Sequence, residues 1–502
     1  MLIRAFCCGL MLSLSSFVSG EESLLKNGSF KKWQNGLPVH WTSSKGAGPQ
    51  SGEGKKSVVA PVKGGGLSLR GDATVQVWRY ISQRFPISGG EYYQLTFEAR
   101  ARGLRSEPGQ YNSSYVGIAF VNEDGQNIGR QIRDVFSDQW SEDSLFVRAS
   151  QNAVEGEAAL FLSQTGHLEV RKIEVRKVEN GDSFSILVDD MGRHYSLFGL
   201  RKVDWKELTS RYRSKAEKAT SIEEYVTVTR EMLSQLKDLH VFLQLPGGQR
   251  VATFQEDVER NYNHSAVFPQ LKDLRQIGRI GVVGRSRDGG YGYVAIGSFM
   301  EPLQTYRNLE KEIDRILDCP GIIIDVRKNV GGQERMAQLI AAIFADKQRI
   351  YARARVRSGP RDTDFVALPG RTIQPRQGRH YTRPVVCLIG RGCVSSGEDF
   401  AMMLKALPQV TLVGQPTRGA VGNPISLDLP NGVTVFYSHW IDLLPDGTVI
   451  ETKGVVPDVV VPHEGTGDPT FDAGLKELRR RVEKSRRVEK NRRVEKNERG
   501  DE

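Results

Sequence analysis

Cysteine is scarce in this chain: five in 502 residues, two of which, Cys7 and Cys8, fall within the first 20. The three that follow, Cys319, Cys387 and Cys393, are too few for a disulfide scaffold, and their odd number leaves at least one free thiol. Histidine is equally sparse, at eight, and no Cys or His spacing suggests a metal site. No Walker or Rossmann glycine pattern occurs either, so no cofactor is expected. Beyond residue 20 no run approaches the roughly 18 apolar residues of a membrane span. The first 20 residues themselves, with Arg4, an apolar middle and small residues at Val18-Ser-Gly20, predict a secretory signal cleaved near Gly20. An exported protein is the expectation.

The length predicts more than one domain. Residues 21–180 read as all-β. Tyr93, Leu95, Phe97 and Ala99 alternate with polar neighbours, Val116, Ile118 and Phe120 precede an Asn-Glu-Asp-Gly turn, and further short strands follow at 159–162 and 168–175. This spacing predicts a β-sandwich. A plausible linker near 179–184 leads to two helices, about 204–216 and 221–237. The stretch 249–290 is polar and Gly-rich.

An α/β region then begins. Residues 293–298 read as a strand, 305–317 as a helix, and the β-branched run 321–326 as a strand buried on both faces. That run passes through Arg327-Lys-Asn-Val-Gly-Gly332 into a helix at 333–344. The same order of strand, small-residue turn and helix repeats at 384–407, where Phe400, Met403, Leu404 and Leu407 should face inward. Ser395 sits where that second strand hands over to its helix. Such a place suits a nucleophile, because the free N–H groups of a first helical turn can receive an oxyanion. Read alone, Ser-Ser-Gly-Glu is equally an ordinary helix start with a serine cap and a first-turn glutamate.

The stretch from Gly390 to Pro424 resembles the nucleophile region of the carboxyl-terminal-processing serine peptidases and of their relatives, the tricorn core protease and the interphotoreceptor retinoid-binding protein. In those a Ser-x-x-acidic motif is followed by a Val-Gly-x-x-Thr-x-Gly turn, here Ser395 to Glu398 and Val413-Gly-Gln-Pro-Thr-Arg-Gly419. The resemblance makes Ser395 the nucleophile. Ala420 stands where the processing peptidases place a general-base lysine, and 249–290 leaves no room for their PDZ domain. Both departures favour the tricorn-like branch, in which a histidine is the base. Residues 232–243, with Asp238-Leu-His240, are similar to that branch's helical lead-in, which implies His240 as base, with Asp238 available to orient it. The Asp325-x-Arg-x-Asn-x-Gly-Gly332 element implies Gly331 or Gly332 as an oxyanion donor, with the Ser396 N–H as the second. The closing Glu451-x-x-Gly-Val-Val-Pro-Asp458 implies Glu451 as the third catalytic member.

The resemblance implies a multidomain protein, an N-terminal all-β jelly roll followed by an α/β crotonase-like peptidase domain with a helical lead-in. The expected divisions are 1–20 signal, 21–180 β-sandwich, 184–248 helical subdomain, 249–465 catalytic domain and 475–502 charged tail. The expected substrate is a peptide or protein. The opening of the β-sandwich, Leu25 to Trp33 and Gly36 to Trp41, is similar to galactose-binding-like jelly-roll modules, so carbohydrate is a further expected ligand class. Trp33, Trp41 and Trp78 are there either to stack on sugars or to fill the core. Alternatives from other classes are a non-catalytic ligand-binding protein on the same fold and a glycan-targeted protein acting through the sandwich. From Lys476 onward 12 basic and 7 acidic residues carry +5 of the formal net charge of +10, in a repeat of Arg-Arg-Val-Glu-Lys. Its six-residue period fits no coiled-coil seam, so a solvated, partly helical or disordered tail is expected. Nucleic acid is not an expected partner, and nothing in the sequence speaks to oligomeric state.

Overall fold

The computed structural model describes residues 22–43, 59–71, 79–105, 113–179, 181–359, 361, 363–462 and 466–498. The expected signal at 1–20 and Trp78 lie outside them. Two compact units emerge.

The first comprises residues up to Asp190 with Leu245–Gly248 and Leu427–Val435. Its period-2 runs form two five-stranded antiparallel sheets. Leu95, Phe97 and Leu168 of one sheet share a single buried core with Ile81, Val116 and Leu160 of the other, because each strand turns its apolar alternate residues to the same side. Trp41 fills that core at 4% exposure, against Phe30. Of the two roles open to it, core filling is the one it has. Trp33 lies partly buried against the same core.

The second unit comprises Met191–Gln244, Gln249–Ser426 and Phe436–Glu502. Asp204 and Ser221 cap two of its helices, Trp205–Glu217 and Ile222–Ser234, each side chain accepting the N–H three residues on. A seven-stranded sheet follows, in the order Leu271–Ile277, Gly281–Ser286, Gly292–Ile296, Ile322–Asp325, Val385–Ile389, Val410–Gly414, Val459–Val460. The first two pairings are antiparallel and the rest parallel. The polar stretch 249–290, for which no strands were expected, thus supplies the sheet's edge.

Alternation explains why the central strands are apolar at every position. Ile322, Ile324, Val385, Cys387 and Ile389 pack on one face with helices Leu303–Asp314, Glu334–Ala341 and Ser396–Lys405. Ile323, Val386, Leu388 and Val413 pack on the other with Phe471, Leu475, Leu478 and Val482. Those last four recur at helical spacing, so the helix Pro469–Glu498 docks by its first turns. The charged tail is therefore helical rather than disordered as far as Glu498, with Val488 exposed.

Arg327 lies fully buried at the end of its strand. It donates to Asp325 at 2.6 Å and to Asp468 at 2.7 Å, and so ties the sheet to the start of the last helix. Parallel strands point their carboxyl ends the same way, so the turns at 326–333, 390–395 and 415–420 share one edge of the sheet. In open α/β sheets that edge is where ligands bind.

Candidate active site

Ser395 heads the helix Ser396–Lys405 with φ 56° and ψ −130°, in the left-handed half of backbone space that a side chain enters at a cost of about 1–3 kcal/mol. Tertiary hydrogen bonds hold it there. The Ser395 N–H donates to Ala420 O at 2.9 Å and to Glu398 Oε2 at 3.1 Å. Glu398 is itself wholly buried and also accepts from the Thr417 hydroxyl and the Gly419 and Ala420 N–H groups. Burial pushes its carboxyl above the usual range, against those four donors. One carboxylate thus fastens the serine turn to the 417–420 turn.

The glycine turn lies directly on the serine. A Cβ added to Gly331 would come 2.7 Å from Ser395 Cβ, so glycine is needed here both for that approach and for its φ of 82°. The expected oxyanion role of Gly331 needs correcting, however. Its N–H donates to Asn329 Oδ1 at 2.9 Å and is already used. The N–H groups of Gly332 and Ser396 have no hydrogen-bond partner among the described residues. The Ser396 hydroxyl donates to Gly332 O at 2.8 Å and links the two peptides. Asn329, buried and also donating to Ile296 O, is a residue whose part in aiming this turn sequence reasoning missed. Its position inside the Asp-x-Arg-x-Asn-x-Gly-Gly element was the available signal.

His240 follows the helix Ile222–Ser234. Asp238 Oδ1 accepts the His240 backbone N–H at 2.8 Å, while Oδ2 accepts from the Tyr195 hydroxyl at 3.1 Å. The expected orienting role of Asp238 is therefore exercised on the backbone and not on ring Nδ1, which is buried without a hydrogen-bond partner among the described residues. Burial lowers the imidazole pKa, opposed by the Asp238 charge, and keeps the ring neutral. Among the described residues no hydrogen bond joins the His240 ring to the Ser395 hydroxyl.

Glu451 is 1% exposed. Its Oε1 accepts from Arg201 Nη2 at 2.7 Å and its Oε2 from the Val421 N–H at 3.1 Å, and neither oxygen is bonded to His240 Nδ1. Ala420 and Val421 are consecutive, so one short stretch of backbone holds both Ser395 and Glu451. Burial and the neighbouring Asp238 push the Glu451 carboxyl up to about 8, with Arg201 pulling it down. Arg201 and Tyr195, both absent from the expected site, join the residues around it. Cys393, two residues before the serine, is fully buried, and burial raises its thiol well above its usual value, so it is no rival nucleophile. Cys319 and Cys387 are likewise buried and free. No group of metal-ligating side chains occurs among the described residues.

Residues 290–461, which hold the serine turn, the glycine turn and Glu451, match the model of peptidase family S41. The chain thus carries a region similar to peptidase family S41. Residues 179–234, the helical lead-in to the S41 region, match the tricorn protease C1 domain. The chain is 28% identical over 182 residues to the carboxy-terminal processing protease CtpA of Bacillus subtilis, covering 36% of each chain. CtpB of the same organism is 26% identical over 195 residues, 38% of this chain and 36% of CtpB. The chain thus spans little more than a third of the length of these curated relatives. A crystal structure of a putative peptidase from Parabacteroides merdae aligns with a TM-score of 0.53 at 28% identity, over 59% of this chain and 96% of that one.

Proposed function

We propose that this chain is a serine peptidase of the tricorn-like branch, working through an acyl-enzyme. Ser395 Oγ attacks the peptide carbonyl and His240 takes its proton. The oxyanion is received by the Gly332 and Ser396 N–H groups, and His240 returns the proton to the leaving amine. Glu451 supports the imidazolium. The observation that carries this reading is the serine held at a left-handed φ against Gly331, with the Gly332 and Ser396 N–H groups unpartnered among the described residues. The missing contact between His240 and Ser395 is one that substrate would complete, since catalytic hydrogen bonds commonly tighten only in the complex.

The remaining parts of the proposal are coarser. Export rests on the leader at 1–20, and among the described residues no helix is long and apolar enough to cross a membrane. The two N-terminal sheets are read as a jelly-roll module and the catalytic unit as crotonase-like. Carbohydrate remains the proposed ligand class of the sandwich, though with Trp41 in the core it would have to be met by other residues. The rival reading, a non-catalytic binding protein, draws its support from the Glu451–Arg201 pairing, which leaves His240 Nδ1 alone.

The full chain treated with a fluorophosphonate, digested and analysed by mass spectrometry should carry the label on Ser395. A folded protein that stays unlabelled decides for the binding-protein reading. The pH profile tests Glu451 separately. Its carboxyl faces Asp238, Arg201, Tyr195 and Glu398, and ionises only as pH rises through about 8, whereas His240 is neutral well below that. Turnover should therefore climb about tenfold between pH 7 and 9. Glu451→Gln should remove that limb and leave a low, flat rate. A native profile already flat over this range would take Glu451 out of the mechanism.

A further inference from the structure

Three neighbouring parallel strands of the catalytic sheet, Ile322–Asp325, Val385–Ile389 and Val410–Gly414, are each followed within a few residues by a cation: Lys328, Arg391 and Arg418. These are the same turns that carry Gly331, Ser395 and Ala420. The Lys328 backbone lies close against Gly392, and the Arg418 Nε donates to Arg391 O at 2.7 Å, which ties these turns to the nucleophile turn. Arg260 joins Lys328 on the Tyr262 side chain, with Lys328 Nζ 4.9 Å from the ring centroid and Arg260 Nη1 3.4 Å from the hydroxyl. The mechanism uses none of these four charges.

A carboxylate touches two of them. Glu256 receives Arg391 Nη2 at 3.2 Å and 3.3 Å on its two oxygens, with Arg418 Nη1 3.7 Å away. Arg418 is 12% exposed and burial lowers its pKa, so a countercharge there is worth more than at an open surface. Glu256, in contrast, is 41% exposed and stands on a stretch without regular secondary structure. One guanidinium held on backbone oxygens, Arg418, a second beside it, Arg391, and an exposed carboxylate between them are the parts of a displaceable anion site.

We propose that Arg391 and Arg418, flanked by Lys328, form a subsite for a carboxylate of the peptide substrate, which Glu256 occupies when substrate is absent. The proposal rests on the peptidase reading for the word substrate, but not for the binding. Two sources share this chemistry, an acidic side chain near the cleaved bond and a free C-terminal carboxylate.

Three randomised peptide pools separate them: one with a fixed Glu and an amidated C terminus, one with Gln in its place and amidated, and one with Gln and a free carboxylate. Binding of fluorescein-labelled pools is read by anisotropy on the full-length Ser395→Ala protein, and cleavage of quenched pools on the native chain. The Glu pool, the free-carboxylate pool, or both should bind about tenfold more tightly than the neutral one, and less so as salt is raised. Arg391→Gln should shrink that ratio towards one, Lys328→Gln should reduce it in part, and Glu256→Gln should enlarge it. The opposed sign of the Glu256 variant is a readout that a merely structural role would not give. Equal binding of all three pools by a folded protein, or a ratio untouched by Glu256→Gln, overturns the subsite. Charge-selective binding without cleavage of any pool and without serine labelling would instead overturn the peptidase reading and leave the subsite standing.

Discussion

Ser395→Gly should be inactive yet more stable than the native chain. Loss of the hydroxyl removes the group that forms the acyl-enzyme, and deleting a member of such a catalytic set costs roughly 10^4- to 10^6-fold in turnover. The stability gain comes from the backbone. At φ 56° and ψ −130° a Cβ is strained by about 1–3 kcal/mol, whereas glycine enters that region freely. Against this stands the extra chain entropy of glycine, about 0.5–1 kcal/mol, so a net gain near 1 kcal/mol is expected. Ser395→Ala keeps the Cβ and therefore the strain, and should be as inactive with no such gain. Urea denaturation of the three proteins reads the difference. If the glycine variant is no more stable than the alanine one, the serine is not strained and the turn has been misjudged.

That strain marks the limit of what could be read from the chain alone. The unbroken apolar runs 321–326 and 384–390 gave the central strands, and the facing of Ile322 and Ile323 to opposite cores is why such a run has no polar alternate. The helix starts at Asp204 and Ser221 were equally local, since a cap is written within three residues. The edge strand Leu271–Ile277 was hidden for the opposite reason. Only its two end residues are buried, so the residues between them, Lys272 to Gln276, carry no apolar period. Within the candidate site, the Ser-x-x-Glu start and the Gly-Gly turn were visible, but which glycine N–H remains free depends on Asn329 Oδ1. The partners of the buried charges were illegible altogether. Arg201 lies 250 residues from Glu451 and Arg327 lies 141 from Asp468, and nothing in an arginine's neighbours says which carboxylate it will meet. The docking of the last helix shows the same limit at shorter range. Its apolar stripe begins at Phe471, ahead of the repetitive segment that drew attention to charge.

Glu398→Ala should bring down both the fold and the reaction, and the two losses have one cause. The sequence shows this residue as half of a capping box, and its contact with the Ser395 N–H is that half. The other three donors, the Thr417 hydroxyl and the N–H groups of Gly419 and Ala420, come from about 20 residues further along and are equally buried. Alanine would strand them, at about 1–3 kcal/mol each, while relieving the cost of burying a carboxylate that forms no ion pair among the described residues. A net loss of about 3 kcal/mol is the expected balance, measured by denaturant midpoint at constant slope. The effect should spread to both flanks. Thr417 also accepts the Val455 N–H, while Ala420 O holds the Ser395 N–H and Val421 holds Glu451. Once Glu398 releases the 417–420 turn, nucleophile and supporting carboxylate lose their common anchor. Misplacement by an ångström costs about a hundredfold, so kcat/KM should fall at least that far in protein that is still folded. Glu398→Gln, which keeps one acceptor oxygen but turns an amide towards the remaining donors, should lie between the two on both scales. An alanine variant within 1 kcal/mol of the native chain that reacts with fluorophosphonate at the native rate would mean that the strained serine is held by Ala420 O alone.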